Sequence, residues 1–164
     1  MQRILVFGNS GSGKTTLAAR LCDEQGLAHL DLDELAWLPT VPPERRPLAE
    51  SGQAIREFIT AHDGWVIEGC YADLLGLAVP LATEAIFLNL PVAQCQANAR
   101  RRPWEPHKYS SPAAQDANLA MLLDWIADYP ERDDVLSLRA HRRLFEAFPG
   151  RKRELTESVD RLVC

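Results

Sequence analysis

Short apolar runs alternate with longer amphipathic stretches along most of the chain. Runs that are almost wholly apolar predict buried strands, and apolar residues three or four positions apart predict helices. The strands predicted in this way cover residues 3–7, 28–32, 65–67, 85–90 and 144–148. The helices predicted in this way cover residues 14–25, 48–62, 71–79, 92–102, 113–129, 133–141 and 151–163.

The order of these elements predicts the fold class. Strands that alternate with helices form a parallel sheet through right-handed crossovers. The run at residues 85–90 is nearly all apolar, which is typical of a strand covered on both faces. We therefore expect an α/β fold, with residues 1–164 forming one domain that is long enough to bury a substantial core.

A phosphate-binding motif follows the first predicted strand. Residues 8–15 read G-x-x-x-x-G-K-T, which is a complete Walker A loop, and the predicted helix begins directly after it. An ordinary Gly/Ser turn is the alternative, but such a turn requires neither the Gly-Lys-Thr ending nor the flanking strand and helix. The residues predicted to bind a nucleoside triphosphate here are Gly8, Asn9, Ser10, Gly11, Ser12, Gly13, Lys14, Thr15 and Thr16.

Each part of this loop has a chemical task. Glycines allow successive backbone N–H groups to close around phosphate oxygens, and the helix N-terminus adds its positive dipole end. We expect Lys14 to reach the β- and γ-phosphates and the Thr15 hydroxyl to bind Mg²⁺. The expected cofactors are therefore ATP and Mg²⁺.

Composition excludes several classes of protein. The net charge of −5 argues against a dedicated nucleic-acid binder. No apolar run is long enough to span a bilayer, and the N-terminus does not resemble a signal peptide, so we expect a cytoplasmic protein. The cysteines are scattered without a Cys-x-x-Cys pair, which favours reduced thiols over a metal site or a disulfide framework; they are Cys22, Cys70, Cys95 and Cys164.

Taken together, the phosphate loop and two later segments resemble the nucleoside-monophosphate-kinase-like group, which includes adenylate, shikimate and gluconate kinases. Those segments are Asp31-Leu32-Asp33 and Glu68-Gly69-Cys70-Tyr71. Residues 33–37 and 65–71 are most similar to small kinases labelled DNA topology modulation proteins, although Glu68 replaces the usual Asp and Cys70 the usual Asn. The resemblance implies a five-stranded parallel P-loop sheet of order 2-3-1-4-5, an acceptor-side flap at about residues 34–64 and a lid at about residues 100–115.

Three carboxylates follow predicted strands, where ligands bind in such sheets. Asp31 and Asp33 are two positions apart and share a face if the backbone is extended. Similarity to shikimate kinases implies that Asp31 holds a Mg²⁺-bound water and that Asp33 contacts the acceptor hydroxyl as catalytic base. Helix N-capping is the alternative for both. Glu68 stands where a Walker B carboxylate would lie, with an indirect role at Mg²⁺.

The remaining predicted site residues rest on the same resemblance. Arg100 and Arg102 are expected to stabilise charge on the transferred phosphoryl group, with a cationic helix C-terminus as the alternative. Arg151 follows the expected fifth strand and is expected to stack on adenine, with a solvated arginine as the alternative. The acceptor is expected to contact Asp33 together with Trp37, Arg45, Gly69 and Tyr71. Core packing is the alternative for the two aromatic residues, and a strand-ending turn is the alternative for Gly69.

These expectations converge on ATP- and Mg²⁺-dependent phosphoryl transfer to a small-molecule acceptor, either a nucleotide or a hydroxyl-bearing metabolite. Two alternatives remain: a nucleotide-binding regulatory protein, and a simple NTPase that needs no acceptor. We expect no membrane partner, no direct contact with nucleic acid, and a monomer or homodimer.

Overall fold

A five-stranded, all-parallel sheet forms the centre of the molecule in the computed structural model, which describes residues 1–159. The strand order is β2-β3-β1-β4-β5, as predicted. The strands are β1 (Arg3–Gly8), β2 (Ala28–Asp31), β3 (Trp65–Gly69), β4 (Glu84–Leu88) and β5 (Arg151–Leu155).

Seven α-helices connect and cover the strands in the described part of the chain. They are α1 (Lys14–Gln25), α2 (Asp33–Ala36), α3 (Leu48–Ala61), α4 (Ala72–Ala78), α5 (Val92–Arg101), α6 (Pro112–Ala127) and α7 (Leu138–Ala147). Within residues 1–159, none of these helices combines the length and the apolar content that a bilayer span requires.

The side chains of β1 point alternately to the two faces of the sheet, and the core is divided into two layers accordingly. Leu5 and Phe7 belong to one buried cluster, which α3, α4 and α7 help to form. Ile4 and Val6 belong to the other, with residues of α1, α5 and α6. Because every second side chain of a strand points to the same face, this separation is expected for a sheet with helices on both sides.

The fifth strand is not where the hydrophobic pattern predicted it. Residues 144–148, predicted as a strand, fall mostly within α7, and Arg151–Leu155, predicted to open a final helix, forms β5. β5 lies at the edge of the sheet, and four of its five residues are exposed. Charged residues protect an exposed edge from pairing with other strands, so β5 lacks the apolar pattern of a buried strand. The rest of the predicted final helix reaches residues 160–163, which lie outside the described residues.

The register of the sheet brings several predicted site residues to one end of the strands. Asp31 pairs with Glu68 in the alignment of β2 and β3, and Phe7 pairs with Gly69 in that of β1 and β3. The strands are parallel, so their carboxyl ends lie together next to the loop that follows Gly8. The candidate site lies at these carboxyl ends, as expected for open α/β sheets.

Candidate active site

The phosphate loop has a backbone that only glycine accommodates at two points. Gly11 has a φ of +79°, and a Cβ atom there would lie 2.3 Å from the carbonyl oxygen of Cys95. Gly13 has a φ of +92° and immediately precedes α1. The Lys14 ammonium donates a hydrogen bond of 2.8 Å to the Asn9 carbonyl oxygen, so Lys14 folds over the loop.

Two polar side chains of the loop are buried. The Asn9 amide nitrogen donates to the Ile126 carbonyl oxygen at 3.2 Å, which ties the loop to α6. Neither Asn9 Oδ1 nor the Ser12 hydroxyl has a hydrogen-bond partner among the described residues. Asn9 therefore takes part in the site through its backbone, while its side chain packs against α6.

A cavity of about 440 Å³ opens beside the loop. It brings together most of the predicted site residues, namely Ser10, Gly11, Gly13, Lys14, Thr15, Thr16, Asp31, Asp33, Trp37, Glu68, Gly69, Tyr71 and Arg102. Lys108 and Trp125, which the sequence did not single out, also line it. Of the predicted residues, Gly8, Asn9, Ser12, Arg45, Arg100 and Arg151 are not part of its lining.

Glu68 joins the loop to the sheet. The Thr15 hydroxyl donates to Glu68 Oε1 at 2.8 Å, and His29 Nε2 lies 3.3 Å from the same oxygen. The hydrogen bond to Glu68 raises the pKa of His29 above its ordinary value. The sequence analysis did not single out His29, although it stands two positions before Asp31 and therefore on the same side of β2.

Asp31 both caps a turn and faces the cavity. Its Oδ1 accepts the backbone N–H of Asp33 at 2.9 Å, which closes the turn before α2, while the N-cap residue of α2 is Leu32 and has no side-chain cap. Burial and the neighbouring carboxylates of Glu68 and Asp33 raise the pKa of Asp31 to about 6. Asp31 is thus a carboxyl group that a nearby cation would help to ionise.

The donors around this end of the cavity suit Mg²⁺. Thr15, Asp31 and Glu68 present oxygen atoms, which this hard cation prefers. No cluster of three or more His, Cys, Asp or Glu residues within residues 1–159 could hold a metal by itself. The arrangement fits an ion that takes few protein ligands and completes its shell with phosphate oxygens and water.

Both carboxylate oxygens of Asp33 are engaged. The Tyr71 hydroxyl donates to Oδ1 at 2.5 Å, and the Lys108 ammonium donates to Oδ2 at 3.1 Å. Burial alone would raise the pKa of Asp33, but the Lys108 charge and the Tyr71 hydrogen bond outweigh it and hold that pKa below its usual value. Asp33 is therefore an ionised carboxylate at neutral pH.

Lys108 is the cation that the sequence analysis missed. It lies in the loop between α5 and α6, and its Nζ is also 3.4 Å from Glu105 Oε2. Burial opposes its charge, yet the attraction of Asp33 and Glu105 raises the pKa of Lys108 above its ordinary value. No periodic pattern marks Lys108, because an irregular loop places it opposite Asp33.

The predicted arginines of the lid differ in position. Arg102 lines the cavity, and its Nη1 lies 3.3 Å from Glu105 Oε1. Arg100 is exposed within the last turn of α5 and does not line the cavity, which agrees with the alternative of a cationic helix end. Of the two predicted arginines, Arg102 is therefore the one placed to reach a phosphoryl group in the cavity.

Arg45 and Gly69 take part in packing. Arg45 Nη2 bonds to both carboxylate oxygens of Asp73, at 3.0 and 3.3 Å, so the guanidinium is held outside the cavity lining. A Cβ atom on Gly69 would lie 2.9 Å from Leu32 Cβ. The close approach that requires glycine at position 69 is therefore to Leu32, although Gly69 also lines the cavity where an acceptor is expected.

Arg151 lies at the amino ends of the strands, which does not suit the role in adenine binding that was predicted for it. It is the first residue of β5 and pairs in register with Glu84, the first residue of β4. The phosphate loop lies at the opposite end of the sheet, where the strands have their carboxyl ends. The prediction placed the fifth strand before Arg151, so moving that strand to Arg151–Leu155 removes the basis for an adenine contact.

A second cleft, of about 260 Å³, shares Gly11, Gly13, Thr16 and Arg102 with the lining of the first cavity. Asn98 holds two of its walls together, because its amide nitrogen donates to the Gly11 carbonyl at 2.8 Å and lies 3.3 Å from the Ser158 hydroxyl. The residues that line this cleft are Gly11, Ser12, Gly13, Thr16, Asn98, Arg101, Arg102, Pro103, Ser158 and Val159.

Comparison with known proteins shows a shared fold. No family model matches the sequence, and no curated protein matches it either. An unliganded sugar kinase from Janibacter sp. HTCC2649 is similar in structure, with 17% identity, 99% of this chain and 90% of that chain covered, and a TM-score of 0.52. An uncharacterized protein from Eubacterium ventriosum ATCC 27560 matches with 18% identity, 99% and 94% coverage, and a TM-score of 0.49. At such identity, the likeness to the sugar kinase establishes that this chain has a kinase-like α/β fold.

Proposed function

We propose that this protein transfers the γ-phosphoryl group of Mg²⁺-bound ATP to a hydroxyl group of a small molecule. One observation carries the proposal: Lys14 and Thr15 of a Walker A loop face the ionised carboxylate of Asp33 across a single cavity. Phosphoryl transfer requires phosphate binding and an activated nucleophile within one such space. The fold shared with a sugar kinase agrees with this proposal.

The donor side binds the nucleotide. Backbone N–H groups of the loop and the start of α1 surround the phosphates, and Lys14 turns from the Asn9 carbonyl to the phosphate oxygens. The cleft beside Asn98 and Arg101 is continuous with the loop through Gly11 and Gly13, so it would receive the nucleoside.

The metal site lies between the loop and the ends of β2 and β3. Thr15 would bind Mg²⁺ directly, and Asp31 and Glu68 would bind it through water. When bound, the ion neutralises charge on the transferred phosphate oxygens. Glu68 orients the Thr15 hydroxyl by accepting its proton in a hydrogen bond, which leaves the lone pairs of that oxygen for the ion.

The acceptor side supplies the base. Asp33 accepts the proton of the acceptor hydroxyl, which leaves the oxygen able to attack phosphorus. Lys108 and Arg102 contribute positive charge from the loop above the cavity, where charge on the transferred group must be stabilised.

Replacement of Lys14 tests the proposal. Lys14→Ala should abolish ATP turnover and weaken ATP binding, while the circular dichroism spectrum stays that of the parent protein. Lys152→Ala is the matched control, since Lys152 lies in β5, donates to the carbonyl oxygens of Phe145 and Glu146 in α7, and lines neither the cavity nor the second cleft.

Three outcomes separate the candidates. A phosphorylated product from a metabolite panel, identified by mass, supports the kinase. Tight ATP binding without product from any acceptor indicates a regulatory protein, and turnover that Asp33→Asn leaves unchanged indicates a simple NTPase. ATP binding by Lys14→Ala equal to that of the parent would contradict the proposal.

A further inference from the structure

Three side chains form a directed chain of hydrogen bonds that ends on the proposed base. The Trp37 indole Nε1–H donates to the Tyr71 hydroxyl oxygen at 2.8 Å. The Tyr71 hydroxyl in turn donates to Asp33 Oδ1 at 2.5 Å. An indole N–H can only donate, so it directs the single Tyr71 proton towards the carboxylate.

We propose that Tyr71, held by Trp37, is a positioning residue that occupies Asp33 Oδ1 and leaves Asp33 Oδ2 as the atom that receives the acceptor proton. This inference rests on the proposed function, because it assigns an orientation to the base of that reaction. It also adds a role for Trp37 and Tyr71, which were expected either to contact the acceptor or to pack in the core.

The surroundings of Tyr71 hold its hydroxyl in place. The Arg45 guanidinium lies 5.0 Å from the centre of the Tyr71 ring, and Asp73 holds that guanidinium through both carboxylate oxygens. Trp37 packs edge-on against the same ring, at a centroid distance of 6.3 Å. Tyr71 is only 3% exposed, so its hydroxyl has few alternatives to Asp33.

The backbone before Tyr71 is also held. His141 Nε2 donates to the Cys70 carbonyl oxygen at 2.7 Å, and the Tyr129 hydroxyl bonds to the other ring nitrogen at 2.7 Å. His141 is fully buried, and burial lowers its pKa to about 4, so the ring stays neutral. The turn that carries Tyr71 is thus fixed from both its backbone and its ring.

The Tyr71 bond determines which carboxylate oxygen of Asp33 takes part in the reaction. The acceptor O–H bond breaks, its proton goes to Asp33 Oδ2, and the acceptor oxygen forms a bond to the γ-phosphorus. The bond from that phosphorus to the bridging oxygen breaks, and its electron pair leaves with ADP. Lys108, which lines the cavity, also donates to Oδ2 at 3.1 Å, and that oxygen keeps a second lone pair for the acceptor hydroxyl.

Nuclear magnetic resonance of the indole groups tests the chain of hydrogen bonds without any acceptor. No direct hydrogen bond joins Asp33 to Trp37 in the part of the chain that the structure describes. Asp33→Asn should nevertheless move the Trp37 indole N–H signal, because Tyr71 connects them. The Trp65 indole, which is fully buried at the first residue of β3 and has no hydrogen-bond partner among the described residues, is the internal reference and should not move.

A double variant distinguishes the bonded chain from a through-space effect of charge. In the Tyr71→Phe background, Asp33→Asn should no longer move the Trp37 signal. An equal movement in both backgrounds, or no movement in either, overturns the inference. The two indole signals are assigned with Trp37→Phe and Trp65→Phe.

Kinetics test the consequence for the reaction, with Mg²⁺-ATP as donor and water as the acceptor probe. Tyr71→Phe should lower kcat about tenfold or more and leave the KM for ATP unchanged, since one hydrogen bond to a charged group is lost on the acceptor side. Tyr109→Phe, which removes a hydroxyl bonded to Asn118, is the matched control and should retain the parent rate.

The two proposals fail in different ways. A raised KM for ATP with unchanged kcat in Tyr71→Phe would place Tyr71 on the donor side and overturn the inference, while the kinase proposal stands. A parent protein that binds no ATP would overturn the kinase proposal, while the indole signals would still decide whether Tyr71 connects Trp37 to Asp33.

Discussion

The hydroxyl of Thr15 is bonded to the carboxylate of Glu68, with 2.8 Å between Oγ1 and Oε1. Thr15 belongs to the phosphate loop and Glu68 to the neighbouring strand β3, so the bond spans 53 positions of sequence. Glu68 is 1% exposed, and the proposed metal site therefore rests on a buried and immobile carboxylate.

Replacing Glu68 by Gln should weaken Mg²⁺-dependent ATP binding. Gln retains an oxygen that accepts the Thr15 hydroxyl but removes the negative charge, so we expect a loss of about 10- to 100-fold in the affinity for Mg²⁺-ATP. Affinity for ATP without Mg²⁺ should change little. Isothermal titration with and without the ion measures both.

Glu84→Gln serves as the control for that experiment, because Glu84 is also buried but pairs with Arg153 at the opposite end of the strands. Equal loss of Mg²⁺-ATP affinity in the Glu84 and Glu68 variants would show that burial of a carboxylate, and not its place beside Thr15, is responsible.

Gly11→Ala should impair nucleotide binding and stability. The left-handed backbone costs a non-glycine residue about 1–2 kcal/mol, and the new Cβ would also collide with the Cys95 carbonyl. Gly76→Ala in α4 is a matched control, since no atom lies within 4 Å of a Cβ there. Alanine in a helix should leave stability equal or raise it by about 0.5–1 kcal/mol.

Urea unfolding and ATP titration of both glycine variants check this prediction. A Gly11 variant that binds ATP as the parent does would show that the loop can rearrange without cost.

Lys108→Met should loosen the loop of residues 102–111. Lys108 joins this loop to Asp33 across the cavity at 3.1 Å, and both side chains are partly exposed, at 30% and 39%. A partly exposed ion pair contributes about 0.5–1 kcal/mol, so amide hydrogen exchange in the loop should become about two- to fivefold faster. Lys152→Met should leave exchange in the loop unchanged, and equal rates in both variants would exclude a bridging role for Lys108.

His141 should make stability depend on pH. Burial lowers its folded-state pKa to about 4, below the ordinary value of 6.5. The unfolded chain therefore binds the proton more readily, and the contribution is fully present above about pH 6.5 and decreases as pH falls towards 4. Between pH 7 and pH 4.5 the loss should be about 2 kcal/mol in the free energy of unfolding.

The comparison that isolates this effect uses His141→Asn and, as control, His62→Asn at an exposed position. Urea unfolding at both pH values should show about 2 kcal/mol less pH dependence in the His141 variant than in the parent and the control. The same pH dependence in all three proteins would show that folding does not lower the pKa of His141.

The parts of the fold that the sequence predicts well are those specified locally. The conformation of the loop at residues 8–15 depends on glycines within the loop, and its chemistry depends on Lys14 and Thr15. The neighbouring strands are apolar because they are buried in the sheet, whatever strand each one pairs with. β5 was misplaced because an exposed edge strand has no apolar pattern to detect, whereas residues 144–148 are apolar since α7 packs against the sheet.

The site was only partly predictable for a related reason. Asp31, Asp33 and Glu68 follow strands and could be placed at one edge of the sheet in advance. Lys108 meets Asp33 across 75 positions of sequence, and Arg45 meets Asp73 instead of the cavity. Such pairings depend on how irregular loops fold back, which no spacing in the sequence encodes.

Asn98 has a consequence for how the protein tolerates substitution. Its amide nitrogen donates hydrogen bonds to the Gly11 carbonyl and the Ser158 hydroxyl. Its amide oxygen accepts hydrogen bonds from Gln94 and Arg101. No other side chain of that length offers two donors and an acceptor oxygen in this arrangement. In a scan of all substitutions, position 98 should therefore be as intolerant as a catalytic position, although its side chain would touch no reacting atom.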